Sequence, residues 1–264
     1  METKPDSTKN TVATSMNGSI AKAMQLLNSF SAEKPRLRLR EISELTGISQ
    51  PTAYRMLNTL KQFNLVTQEA TVYSLGVGFL KYESLVLNSM PLRRLCMPHI
   101  EELAVKERVN VNLAILEGDE VLYIARAETP YCQYGYFHVG MRRPLYCTGL
   151  GKVLVCQHPE LIRPIFAKGI TKYTLNTITD ENIFLEELKQ VALQGYATDL
   201  EEWRNGGNCI AVPIYGTAQK IIAGISISGP TTTYTREKIL SYRPVLLEYA
   251  NRLSVTMNSA GDMM

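Results

Sequence analysis

The chain is poor in the residues that build metal and redox centres. It has three histidines (His99, His138, His158) and five cysteines (Cys96, Cys132, Cys147, Cys156, Cys209). No two cysteines stand as Cys-x-x-Cys, so the ligand spacing of a structural zinc site is missing, and no metal or other cofactor is expected. It also lacks any apolar run near the ~20 residues that cross a bilayer, which excludes a membrane helix. The polar opening, METKPDSTKNTVATSMN, has no apolar core of a secretion signal. Residues 1–17 are expected to be a disordered leader, and the chain is expected to stay in the cytoplasm with its thiols reduced. A phosphate loop is missing too. The segment Pro144-LYCTGLGKV-Leu154 looks like one at first, but Tyr146 stands where the first glycine belongs and Val153 where the metal-binding Ser or Thr belongs.

What remains is ordinary for a globular protein. Hydrophobic residues make up 45% and charged residues 20%, enough to bury a core in one large domain or two unequal ones. The net charge of +3 is unevenly placed. Residues 1–90 hold ten Lys/Arg against seven Asp/Glu, while the remaining chain holds eighteen of each. Between Lys34 and Lys61 six basic residues face only Glu41 and Glu44, a local excess that suits contact with a polyanion or a solvated face.

The first ninety residues read as a helix-turn-helix with a wing. Ser19 as N-cap, then Ile20, Met24 and Leu27 at helical spacing, predict a first helix. Leu37 and Leu39 alternate in a short strand. LREISELTGIS predicts a second helix with Ile42 and Leu45 inward and Gly47 as its stop, and Ser49 caps a third, QPTAYRMLNTLKQFN. At 100° per residue, Ala53, Met56, Leu57 and Leu60 share its inner face. Gln50, Thr52, Tyr54, Arg55, Asn58, Thr59 and Gln62 are left for a partner, with Ser49 at its start. Arg, Gln and Asn have the donors and acceptors that read base edges in a major groove. Arg38, Arg40 and Lys61 are then suited to phosphates. The bland alternative is a small helical subdomain with a solvated polar face. Strands over Leu65–Thr67 and Val72–Leu75 supply the wing. An apolar stripe of Phe79, Glu83, Val86 and Met90 predicts a linker helix over 79–91, packed on a second copy of itself or into its own core.

From residue 92 strands and helices alternate. A helix over 92–108 is expected to be interrupted at Pro98. Two strands flank the Gly118-Asp119 turn, YCQYGYFHV is another alternating strand, helices cover Pro159–Lys168 and Glu181–Gln194, and CIAVPIYG and KIIAGISISG are strands. Thr235–Met257 closes as a helix. Hairpins with flanking helices describe an α+β domain around a mostly antiparallel sheet, over residues 92–260.

ISQPTAYRML, YSLG, GMRRPLYCTGLGKVL, GYATDLEE, GNCIAVPIYG and AGISISGP, in this order, resemble the IclR family of bacterial transcriptional regulators over about residues 19–258. The resemblance implies a winged helix-turn-helix over 18–78 that binds a double-stranded DNA operator as a homodimer or dimer of dimers, commonly as a repressor. It also implies a GAF-like C-terminal domain for a small acidic effector. Residue by residue, it carries effector contacts onto Thr148, Gly149, Leu150, Asp199, Cys209, Ser226 and Ser228, with Cys132 and Gly135 as another wall. Gly207 and Asn208 depart from the family's larger, often basic pair, which puts room and charge near the ligand in question.

Plainer readings stand beside these. Cys209 suits a small core residue, Asp199 a turn cap, the two serines backbone partners, and Lys152 a solvated helix position. Two other functions are weighed: a DNA-binding protein with no ligand, and a hydrolase using Cys147 or Cys209 with His138 or His158. No catalytic residue is assigned.

Overall fold

The computed structural model describes residues 17–130 and 137–261 and divides the chain into two compact units, one through Val86 and one from Leu87. Residues 1–16 of the expected 1–17 leader, and Cys132 and Gly135 with most of their expected strand, lie outside the described residues. Phe137 to Val139, the end of that strand, run as irregular chain and a turn.

The first unit contains α1 (Gly18–Leu27), β1 (Arg36–Arg38), α2 (Leu39–Thr46), α3 (Gln50–Gln62), β2 (Val66–Glu69), β3 (Val72–Leu75) and most of α4 (Gly78–Ser89). Asn17, not Ser19, caps α1, because its Oδ1 accepts from the Ser19 and Ile20 N–H groups at 3.0 and 3.2 Å. Leu39 starts α2 instead of extending β1. Gly47, at φ 69°, ends α2 in the left-handed region. Ile42 is buried as expected, but Leu45, 60° round the helix from it in the last turn, is exposed. The wing hairpin starts one residue later than expected, at Val66, and β1 adds to it in the order β1-β3-β2. Leu26, Leu37, Ile42, Ala53, Leu57 and Tyr73 form this unit's core.

The second unit is a six-stranded antiparallel sheet, ordered β6-β5-β4-β9-β8-β7, with helices on both faces. Its strands are β4 (Val111–Glu117), β5 (Glu120–Ala127), β6 (Arg142–Pro144), β7 (Ala197–Leu200), β8 (Gly207–Tyr215) and β9 (Ile221–Pro230). Val111, Leu113, Ile210, Val212, Ile225 and Ile227 bury one face against α5 (Pro91–Glu107) and α10 (Arg243–Gly261). Ala114, Tyr123 and Ala211 bury the other against α6 (Gly149–Val155), α7 (Ile162–Ala167) and α8 (Glu181–Gln194). Pro98 does not interrupt α5: the carbonyl it leaves without an N–H donor belongs to exposed Arg94, where water can serve. The closing helix is two, α9 (Arg236–Ser241) and α10, because Pro244 cannot continue α9. Strand β7 adds to the elements expected from sequence, which leave residues 197–200 unassigned.

Candidate functional site

In the first unit, α3 presents the expected polar surface. Gln50, Tyr54, Arg55, Thr59 and Gln62 are exposed, Thr52, Asn58 and Lys61 half-buried, and Ala53 and Leu57 fully buried beneath them. Ser49 caps through its backbone, and its hydroxyl donates to Thr52 Oγ1 at 3.0 Å. Lys61 Nζ donates to Gln68 Oε1 at 2.7 Å, tying α3 to the wing. Of the phosphate candidates, Arg38 is exposed, while Arg40 pairs with Glu44 along α2 at 2.7 Å. Exposed pairs of this kind contribute little and open readily to a better anion.

In the second unit the strand registers assemble a polar surface. Ala197, Ala211, Ser226, Asn112 and Arg126 are successive cross-strand neighbours on β7, β8, β9, β4 and β5. Asp199, Cys209 and Ser228 form the next line, two residues along. Period 2 puts all of these on the face that carries α6. Asn112 Nδ2 donates to Ser226 Oγ at 3.3 Å and Ser228 Oγ at 3.2 Å, and Arg126 Nη1 donates to Asn112 Oδ1 at 3.1 Å. The Arg126 guanidinium, with Glu128 on its Nε at 2.5 Å, lies 5.7 Å from the Phe137 ring.

Helix α6 begins directly on this surface. A Cβ on Gly149 would stand 3.4 Å from Cys209 Sγ, Ala211 Cβ and the Ala197 carbonyl. The Thr148 hydroxyl is used locally, accepting from the Gly151 N–H at 3.0 Å and donating to the Pro144 carbonyl at 3.1 Å. The Leu150 side chain goes into the core, so only its backbone faces the helix start. Gly207 shares the Cys209 face, but Asn208 points away and donates to the Tyr234 carbonyl at 2.8 Å.

Lys152 corrects the expectation of a solvated side chain. It is 1% exposed, and its ammonium donates to Glu202 Oε1 at 2.6 Å, Glu187 Oε1 at 3.1 Å and the Thr198 carbonyl at 3.0 Å. Burial pushes the ammonium down, but Glu202 and Glu187 outweigh it and leave the group above its ordinary range. Burial pushes the Glu202 carboxyl up, and Lys152 pulls it back only in part. Asp199 is a turn cap, as its plainer reading held: its Oδ1 accepts from the Glu202 N–H at 2.7 Å and the Trp203 N–H at 3.3 Å. Burial, then the Glu202 charge, push its carboxyl up to about 7. Over this corner the Arg143 guanidinium stacks on Trp203 at 4.6 Å. A cleft of about 530 Å³ beside Cys156, Pro159, Asn182 and Leu185 borders none of these residues; the buried polar side chains, not open volume, mark the site.

A model of the IclR helix-turn-helix domain matches residues 19–70, and a model of the bacterial transcriptional regulator IclR C-terminal region matches residues 84–255. The chain belongs to the IclR family. It is an IclR-type, DNA-binding transcriptional regulator. The HTH-type transcriptional regulator KdgR of Escherichia coli (strain K12) is 31% identical over 243 residues, which span 90% of this chain and 92% of that protein. The HTH-type transcriptional repressor AllR of Salmonella typhimurium is 29% identical over 223 residues, 82% of each chain. An IclR homologue from Microbacterium hydrocarbonoxydans, crystallised with 4-hydroxybenzoate, shares the fold at a TM-score of 0.74 and 21% identity, over 90% of this chain and 98% of its own.

Within this IclR-type domain, the sequence reading does not include Asn112, Arg126, Arg143 or Trp203, which the structure places at or over this polar surface. One signal was available for Asn112: Asn110 and Asn112 alternate with Val109, Val111 and Leu113, marking a polar face on a buried strand. None was available for Arg126. Counted by period 2 it falls opposite Tyr123, yet a bulge between the Leu113–Ala125 and Ala114–Tyr123 pairs leaves Ile124 extra and brings both onto one face.

Proposed function

We propose that this chain is a cytoplasmic repressor whose hold on its operator is set by a small organic acid bound over the α6 face of the sheet. The observation that carries this reading is the polar line itself. A guanidinium, an amide, two hydroxyls and a carboxyl lie together on strands that are otherwise apolar, already bonded to one another and to nearby backbone, and such a pre-formed polar cluster is suited to orient a polar ligand. Arg126 stands at one end and suits a carboxylate; Asp199 stands at the other and suits a hydroxyl. Gly149 and Leu150 offer backbone N–H groups between them, and Cys209 and Gly207 form the floor. A hydroxy or sugar acid meets all of these demands, and the 4-hydroxybenzoate in the Microbacterium homologue is a carboxylate with a hydroxyl at its far end.

On the DNA side, Arg55 with Gln50, Thr52, Tyr54, Asn58, Thr59 and Gln62 reads the major groove, while Arg38, Arg40 and Lys61 hold phosphates. Operator DNA is bound by a homodimer or dimer of dimers, which the exposed Leu80, Leu85 and Val86 of α4 favour. Repression is the role named for AllR. Hydrolase chemistry is disfavoured by the thiols. Burial first, and then the Asp199 charge, push Cys147 and Cys209 upward, the reverse of an activated nucleophile. His158 pairs with Glu160 at 3.0 Å rather than with either thiol.

The test is a thermal-shift screen of hydroxy, keto, sugar and aromatic acids on the wild type, Arg126→Gln and Asp199→Ala chains, followed by operator binding with any hit. A hit lost in both variants that also shifts operator affinity supports the reading. Hits unaffected by either substitution rule it out.

A further inference from the structure

The bulge that turns Arg126 to the α6 face leaves Ile124 without a partner residue in the β4–β5 register. A backbone carbonyl at such an irregularity, beside a packed helix, needs a donor. That donor comes from α5: Arg93 Nε donates to the Ile124 carbonyl at 3.1 Å in a partly buried contact. The Ile124 side chain, on the face away from Arg126, packs among Cys96, Ile100 and Leu103 of the same helix. One guanidinium on α5 thus bonds the residue at which β5 is irregular, two residues before the second guanidinium that the irregularity turns to the α6 face.

We propose that Arg93 is a positioning residue for the effector site, pinning the bulge at Ile124 and through it the carboxylate-binding geometry of Arg126. Without the Arg93 donor, the bulged Ile124 carbonyl loses this bond and a regular ladder gains relative to the bulge. A regular ladder shifts Arg126 by one residue, and in a strand one residue is a change of face. The α5 turn that carries Arg93 begins two residues after α4 ends at Ser89, so a ligand drawing on Arg126 also loads the start of α5. This role rests on the proposed function for its ligand, but not for its geometry.

The test compares the wild type full chain with Arg93→Met, which keeps an apolar stem but no donor, with Arg93→Lys, which restores a donor, and with Arg126→Gln. The first readout is ligand-free hydrogen exchange at the Ala125 and Arg126 amides. Arg93→Met is expected to quicken it by about tenfold or more, with Arg93→Lys returning towards wild type. The second readout is binding of 4-hydroxybenzoate, glycolate and gluconate against their neutral amides, followed through Trp203, the single tryptophan. Arg93→Met should weaken acids by about tenfold while sparing amides, because it disturbs the group that senses the charge. Unchanged exchange in Arg93→Met overturns the proposal, and so does quickened exchange with an intact preference for acids. Quickened exchange with no acid preference in the wild type and no effect of Arg126→Gln overturns the role of Arg126 instead, and with it the positioning role of Arg93.

Discussion

Replacing Lys152 with Met removes three hydrogen bonds and one charge while keeping most of the apolar stem. Glu202 then remains in the interior with one oxygen deprived of its ammonium and the other, Oε2, buried without a hydrogen-bond partner. Glu187, a third exposed, can turn to water; Glu202 cannot. Breaking a buried pair from one side costs about 3–5 kcal/mol, because the surviving charge is uncompensated. For a domain of this size that is a fall of roughly 6–20 °C in Tm. The raised Lys152 pKa places its contribution below the ordinary lysine value of about 10.4, lost only as pH rises through the folded value. The full effect is therefore present at pH 7. Denaturant and thermal unfolding, followed by circular dichroism and Trp203 emission, measure it. A double variant, Lys152→Met with Glu202→Gln, should recover most of the loss, since no charge is then left unpaired. A loss below about 1 kcal/mol in the single variant, the range of an exposed pair, would refute the reasoning.

Other perturbations test other layers. Asp199 is pushed up to about 7 when folded, so the native state keeps a proton that the unfolded chain releases near pH 4. Stability should fall as pH rises from about 4 to about 7, and Asp199→Asn should flatten that window in a pH series of unfolding curves. A Cβ at Gly151 would meet the Leu145 carbonyl at 2.2 Å and its Cα at 2.6 Å, both backbone atoms. Gly151→Ala should thus cost at least about 1–3 kcal/mol by overpacking; a melting temperature equal to wild type would show that α6 shifts freely. Arg55→Ala should weaken operator binding by about 1–3 kcal/mol and relax preference at one base pair, read by competition with single-base operator variants. Uniform weakening across sequences, with a shallower salt dependence, would assign Arg55 to phosphate.

Local pattern alone made much of this protein legible. The span of α8, the core of α3 with Ala53 and Leu57, the Gly118-Asp119 hairpin, and the shared face of Ser226 and Ser228 all follow from periodicity and turn chemistry. Each is settled by residues within a few positions of one another. Pro244 was an available signal for the break between α9 and α10. What only the tertiary structure decided involves partners far apart in the chain or a change of count within a strand. Lys152 reads as a surface lysine until Glu187 and Glu202, 35 and 50 residues away, arrive to make its burial tolerable. Asn112 meets Ser226 and Ser228 across separations of 114 and 116 residues. Arg126 faces α6 because Ile124 is one residue too many for its ladder, and Arg93 on α5 donates to the Ile124 carbonyl. Periodicity counts residues along one strand, and neither a bulge nor a partner from another element can enter that count.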